Sequence, residues 1–278
     1  MTSARDQLLQ EMGIGPLWKL RHALVGSAAA PLALLPDAMA DHAAIQVEPT
    51  VPTVPTVATV PTVAPAQEPD APPPADEQAQ RAAAIAHMDW PALKAAVSTC
   101  TACALCGSRR NTVFGVGDES AQWMIVGEAP GAEEDARGEP FVGQAGQLLD
   151  AMLAALDMRR GKNVYIANVL KCRPPGNRNP SPQEVARCAP HLLRQVALVK
   201  PRLILLMGRF AAQTMLASDA SIASLRGRLH SFAGTPALVT YHPAYLLRAP
   251  TEKARAWEDL LFARATWQGL QIPGDTTT

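Results

Sequence analysis

"RLILLMG" (Arg202–Gly208) decides the fold. A short apolar run closed by a glycine reads as a strand buried on both faces. It is followed directly by a helical segment, Arg209–Leu216. Before it lies a second helix, Ser181–Val199, in which Ser181 caps the start, Pro182 suits the first turn and Glu184 completes a capping box. Working outward, "VYIANVL" (Val164–Leu170), "WMIVG" (Trp123–Gly127) and "ALVTYHP" (Ala237–Pro243) read as three more strands. Gln144–Leu156 and Thr251–Ala265 carry apolar residues at helical spacing, and Ala82–Ala96 is helix-like. Strands alternating with helices predict an α/β fold: a three-layer α/β/α sandwich around a central, mostly parallel four-stranded sheet. In such folds ligands sit beyond the carboxyl ends of the strands. Those ends carry Gly127–Glu128, Asn168, Gly208 and His242.

Composition narrows the partner. The chain has 278 residues and a formal net charge of zero. That zero hides an asymmetry: Arg159–Thr278 holds 17 Lys/Arg against 6 Asp/Glu, a net of +11. A basic half in a neutral chain points to a polyanion partner. No apolar run is long enough for a membrane span, and the start lacks the pattern of a signal peptide. The expected compartment is the cytoplasm, with no membrane association.

The amino-terminal third reads differently. Val47–Pro74 contains nine prolines and repeats Val-Pro-Thr units, an extended linker with no core of its own. Before it, "LLQEMGIGPLWKLR" (Leu8–Arg21) reads as a loosely ordered tail or a short amphipathic helix on which Trp18 and Leu20 could dock a protein partner. The expected organisation is a tail over 1–46, a linker over 47–77, a folded domain over 78–268 and a carboxyl tail over 269–278. A monomer is the simplest expectation.

Five cysteines stand at 100, 103, 106, 172 and 188. Cys100 and Cys103 form a C-x2-C pair, and Cys106 adds a second such step. In a reducing compartment this pattern favours a metal site over disulfides. Spacing alone leaves zinc and iron–sulfur both open, with one cysteine left over.

Taken together, "GEAPGAEEDARGEPFVGQAGQLLD" (127–150), "NVLKCRPPGNRNP" (168–180) and "HPAYLLR" (242–248) resemble the type 4 uracil-DNA glycosylases. The resemblance covers roughly Cys100–Arg264. It implies a uracil-DNA glycosylase-like fold, action on uracil in single- or double-stranded DNA, and a structural [4Fe-4S] cluster on Cys100, Cys103, Cys172 and Cys188, with Cys106 outside the pattern. It implies that Glu128 positions or activates water, and that Glu134 shares that task or orders the loop. Phe141 would stack on a flipped uracil, and Asn168 would read it through an amide that both donates and accepts. Gly127 and Gly143 would let backbone approach the ligand. His242 would support the departing uracil anion as a neutral donor. Tyr245 and Leu246 would fill the gap left by the base, while Lys171, Arg173, Arg178 and Arg248 would contact DNA phosphates.

Three other readings are weaker. A non-catalytic DNA-binding protein would have no use for the Glu128–Asn168–His242 set. A branch that bonds covalently to the abasic site carries a basic insert that "CRPPGNRNPSPQE" lacks. An electron-transfer protein would need redox partners of which the sequence gives no sign.

Overall fold

The computed structural model describes residues 75–271. The proposed tail and nearly all of the proposed linker, with their docking residues Trp18 and Leu20, lie outside that range. The first helix, α1 (Ala75–Ala86), starts slightly before the expected domain start. The single helix expected over Ala82–Ala96 is two: α1 ends, and α2 (Trp90–Ser98) restarts. Asp89 causes the break by accepting the Ala92 N–H at 3.0 Å, with Pro91 in the first turn.

The sheet has six strands in the order β1-β3-β2-β4-β6-β5. The four expected strands form its centre: β2 (Trp123–Gly127), β3 (Val164–Asn168), β4 (Leu203–Met207) and β6 (Thr235–Thr240), all parallel. Two short antiparallel strands complete the edges, β1 (Val116–Gly117) beside β3 and β5 (His230–Phe232) beside β6. At two and three residues they are too short to leave a periodic signal in the sequence.

Period-two alternation divides the core into two layers. Trp123, Ile125, Ile166, Leu205 and Leu238 face helices α4 (Gln144–Ala154) and α9 (Lys253–Gln271), through residues such as Leu149, Met152 and Leu260. Met124, Val126, Ala167, Leu206 and Val239 face α5 (Pro182–Val199) and α6 (Arg209–Leu216), through Leu192, Val196 and Ala212. Both faces are therefore covered, which is why every residue of β2, β3 and β4 is buried. The predicted capping box of α5 is present: Glu184 N–H donates to Ser181 Oγ at 3.2 Å, and Ser181 N–H donates to the Glu184 carboxylate at 2.7 Å. Three short helices were not read from the sequence: α3 (Ala132–Arg137), α7 (Ile222–Leu225) and α8 (Pro243–Arg248).

Candidate active site

A cleft of about 420 Å³ opens beyond the carboxyl ends of the parallel strands, lined among others by Glu128, Glu134, Phe141, Asn168, His242 and Arg248. Parallel pairing puts Gly127 opposite Asn168, and Glu128 C=O accepts the Leu170 N–H at 3.1 Å, so the first acid and the amide are brought side by side. A Cβ on Gly127 would lie 2.5 Å from Asn168 Oδ1 and 2.6 Å from Phe141 Cζ. Only glycine lets the amide and the ring close in from both sides. Asn168 is 2% exposed and lines the cleft.

His242 caps the short helix α8. Its Nδ1 accepts the Ala244 N–H at 3.1 Å, which leaves the proton of a neutral imidazole on Nε2. Burial, then the charge of Arg248, pushes the ring down to about 4, against the pull of Glu134. It is neutral at physiological pH. The ring stacks on Phe141, with centroids 5.4 Å apart and planes at 26°. Beneath it, Gly208 adopts φ +91°, and a Cβ there would meet His242 Cβ at 2.9 Å. Burial pushes the Glu128 carboxyl above the usual range, opposed by Arg209 at the start of α6.

The loop between β2 and α4 is tied by its own acids. Glu134 takes the Gly131 N–H with one oxygen and the Val142 N–H with the other, each at 3.0 Å. Of the two roles expected for Glu134, ordering the loop is the one its contacts express. Asp135 is buried and accepts the Arg110 N–H at 2.9 Å, whereas Glu133 is exposed. Gly143 caps α4, and the nearest atoms to a Cβ there would be those of the Glu133 carboxylate, at 3.0 Å.

Two of the expected DNA contacts are placed elsewhere. Lys171 is 1% exposed; its Nζ donates to Asn168 C=O at 2.9 Å and to Gln195 Oε1 at 2.6 Å, and burial pushes its amine down to about 8. It supports the backbone under Asn168 and cannot meet a phosphate. Leu246 is 0% exposed and packs in the core, because helix α8 turns that side chain inward. Its neighbours Tyr245, 39% exposed, and Leu247, 41% exposed, are the outward apolar groups. Arg178 is bidentate on Glu184, with contacts of 2.6 and 2.9 Å, and so pins its own loop. Arg173 gives Nε to Asn177 Oδ1 at 2.7 Å, and Arg248 gives one N–H to Ala244 C=O at 2.9 Å, leaving both with further donors.

The cysteines require a correction. All five are free thiols lining one small cavity. Three of the expected ligand sulfurs take N–H hydrogen bonds: Cys172 from Arg109 at 3.1 Å, Cys188 from Lys171 N–H at 3.3 Å and Cys100 from Arg81 at 3.5 Å. Burial pushes the Cys103 and Cys172 thiols up, and that of Cys188 up to about 12. Among the described residues, no group of three or more His, Cys, Asp or Glu side chains is placed to hold a metal ion. The expected [4Fe-4S] cofactor on Cys100, Cys103, Cys172 and Cys188 is overturned on that finding.

A larger hollow, about 580 Å³, lies between α1, α2 and α5, away from the strand-end groups. Among the described residues no helix is long and apolar enough to cross a membrane.

Comparison with known proteins agrees with this geometry. The family model described as "Uracil DNA glycosylase superfamily" matches residues 114–261. The chain is 43% identical over 162 residues to the type-4 uracil-DNA glycosylase of Archaeoglobus fulgidus, covering 55% of this chain and 81% of that protein. It is 41% identical over 181 residues to that of Pyrobaculum aerophilum, covering 62% of this chain and 92% of that protein. To that of Thermotoga maritima it is 42% identical over 161 residues, covering 57% and 83%.

Proposed function

The chain belongs to the type-4 uracil-DNA glycosylase family, within the uracil-DNA glycosylase superfamily, and on that premise we propose that it hydrolyses the N-glycosidic bond of deoxyuridine in DNA. One observation carries this reading: a single cleft gathers a desolvated carboxylate, a side-chain amide, a neutral imidazole and an aromatic face.

The target base leaves the stack and enters the cleft. Phe141 offers a face for stacking, which any base satisfies. Asn168 supplies selection: its N–H donates to uracil O4 and its carbonyl accepts N3–H, whereas cytosine presents the reverse pattern. Water then attacks C1′. A bond forms from the water oxygen to C1′, the C1′–N1 bond breaks, and its electron pair leaves with uracil. Glu128 takes the proton of the attacking water, and its charge faces the cation-like sugar. The raised proton affinity produced by burial makes it a better acceptor than a solvated glutamate. His242 Nε2–H donates to uracil O2, where negative charge grows. A ring with so low a pKa remains a neutral donor and stabilises the anion without surrendering its proton. Uracil leaves as the anion and takes a proton from solvent, so the abasic strand remains intact.

Arg173 and Arg248 have donors left for phosphates on single- or double-stranded DNA, and Tyr245 with Leu247 forms the apolar wedge that holds the vacated space. Incubation with a uracil-containing oligonucleotide tests the reading. Free uracil and an alkali-labile intact strand are expected, with Glu128→Gln lowering turnover by about 100-fold or more while binding persists. Failure of the wild-type protein to release uracil from either single-stranded or duplex substrate would defeat it.

A further inference from the structure

We propose that Arg160, which lies outside every recognised motif, is a positioning residue that holds the Phe141 ring in the cleft by gripping the backbone behind it. The inference rests on the reading of the cleft as a base pocket. Phe141 has φ +55°, a left-handed conformation rare for a bulky side chain and sustained only when neighbouring contacts enforce it. Those contacts converge on one peptide unit. Its N–H end, Val142 N–H, is taken by Glu134 at 3.0 Å. Its C=O end, Phe141 C=O, accepts from Arg160 Nη2. Arg160 Nη1 also donates to Pro140 C=O at 2.8 Å, and Nε donates to Asp150 Oδ1 at 2.6 Å.

An anion from one side and a cation from the other thus fix the plane of peptide 141–142. The geometry calls for arginine in particular. Three acceptors, two consecutive carbonyls and a carboxylate from α4, are met at once by a planar fork of N–H donors. A lysine ammonium has the charge but not the fork. Rotation of that peptide would release Phe141 from its left-handed conformation and swing its ring off His242 and away from Gly127, against which it is packed. Arg160 therefore shapes the base pocket through Phe141 without itself lining the cleft.

A double-mutant cycle tests this. In the wild-type background, Arg160→Ala and Arg160→Lys should each lower kcat/KM on a uracil oligonucleotide by about tenfold, about 1.4 kcal/mol. In a Phe141→Ala background the same changes should matter by less than about twofold, since the ring they position is gone. A role in stability alone would give losses that multiply, and that result overturns the proposal, as does rescue by lysine. Arg160→Lys keeps the positive charge and serves if the alanine variant fails to fold. Hydrogen exchange at the Val142 amide reads the clamp without any reaction: protection should fall by about tenfold in Arg160→Lys. Unchanged Val142 protection overturns the clamp. Absence of uracil release by the wild-type protein would instead strike the glycosylase reading and leave the exchange result to decide Arg160.

Discussion

Gly146→Ala sets two opposed effects against each other. Gly146 lies within helix α4, where alanine ordinarily stabilises by about 1 kcal/mol. Here the added methyl would sit 1.8 Å from Phe141 O and 2.3 Å from Phe141 C. A carbon and a carbonyl oxygen normally stay about 3.3 Å apart, so one must move by roughly 1.5 Å. The carbonyl cannot retreat freely, because Arg160 and Glu134 hold its peptide from both ends. Overpacking of this kind costs about 1–3 kcal/mol, and loosening a hydrogen bond to a charged group adds about 1.5–3 kcal/mol. Against a propensity gain of about 1 kcal/mol, the net is a destabilisation of about 1.5–5 kcal/mol, or a fall in Tm of about 3–20 °C for a domain of this size. Thermal unfolding followed by circular dichroism measures it, and kcat/KM should fall as Phe141 shifts. Gly269→Ala is the control: that glycine is also helical, with nothing within 4 Å of the added atom, and its substitution should be neutral or stabilising. A Gly146→Ala protein that melts no lower than wild type, with kcat/KM intact, would refute the steric argument and the account of the Phe141 loop built on it.

Three further outcomes are expected. Lys171→Met should destabilise by about 1–3 kcal/mol by stranding Asn168 C=O and Gln195 Oε1, yet leave the salt dependence of DNA binding unchanged; a phosphate-contacting lysine would instead reduce the salt slope by about one. Leu246→Ala should cost about 2–5 kcal/mol in unfolding titrations, whereas Leu247→Ala should cost under about 0.5 kcal/mol but impair turnover on duplex more than on single-stranded substrate. His242 sets an acid limit: its folded pKa of about 4 lies below the unfolded value, so the unfolded chain binds more protons between about pH 6.5 and 4 and stability falls as pH drops through that window. At pH 5 the loss from this group is about 2 kcal/mol, so wild type should lose more Tm between pH 7 and pH 5 than His242→Gln does; equal losses would refute it.

The layers of this fold were legible because burial leaves a pattern. Four runs of apolar residues and the helices between them specify a two-sided parallel sheet, and the strand-end rule then points to Glu128, Asn168 and His242 without any contact information. What was not legible is direction and reach. Lys171 sits in a basic loop motif, and nothing in that motif tells whether its amine meets solvent or turns inward to Gln195, 24 positions later in the chain. Leu246 and Leu247 are chemically identical neighbours, and only the phase of a six-residue helix sends one to the core and the other to the surface. Arg160 carries no local signal, since its acceptors lie 10 to 20 residues away in sequence. The family resemblance implied a ligand set for the cysteines, whereas among the described residues no group of three or more such side chains is placed to hold a metal ion.

The two short edge strands bear on how copies of this molecule can meet. A parallel core strand left at the border would present a long row of unpaired N–H and C=O groups, a template for adding foreign strands. Here the border is handed to a two-residue strand on one side and a three-residue strand on the other, both running against the core direction. Among the described residues, a neighbouring chain would find only a few backbone groups in line before the edge turns away. Growth of the sheet from molecule to molecule is thereby frustrated.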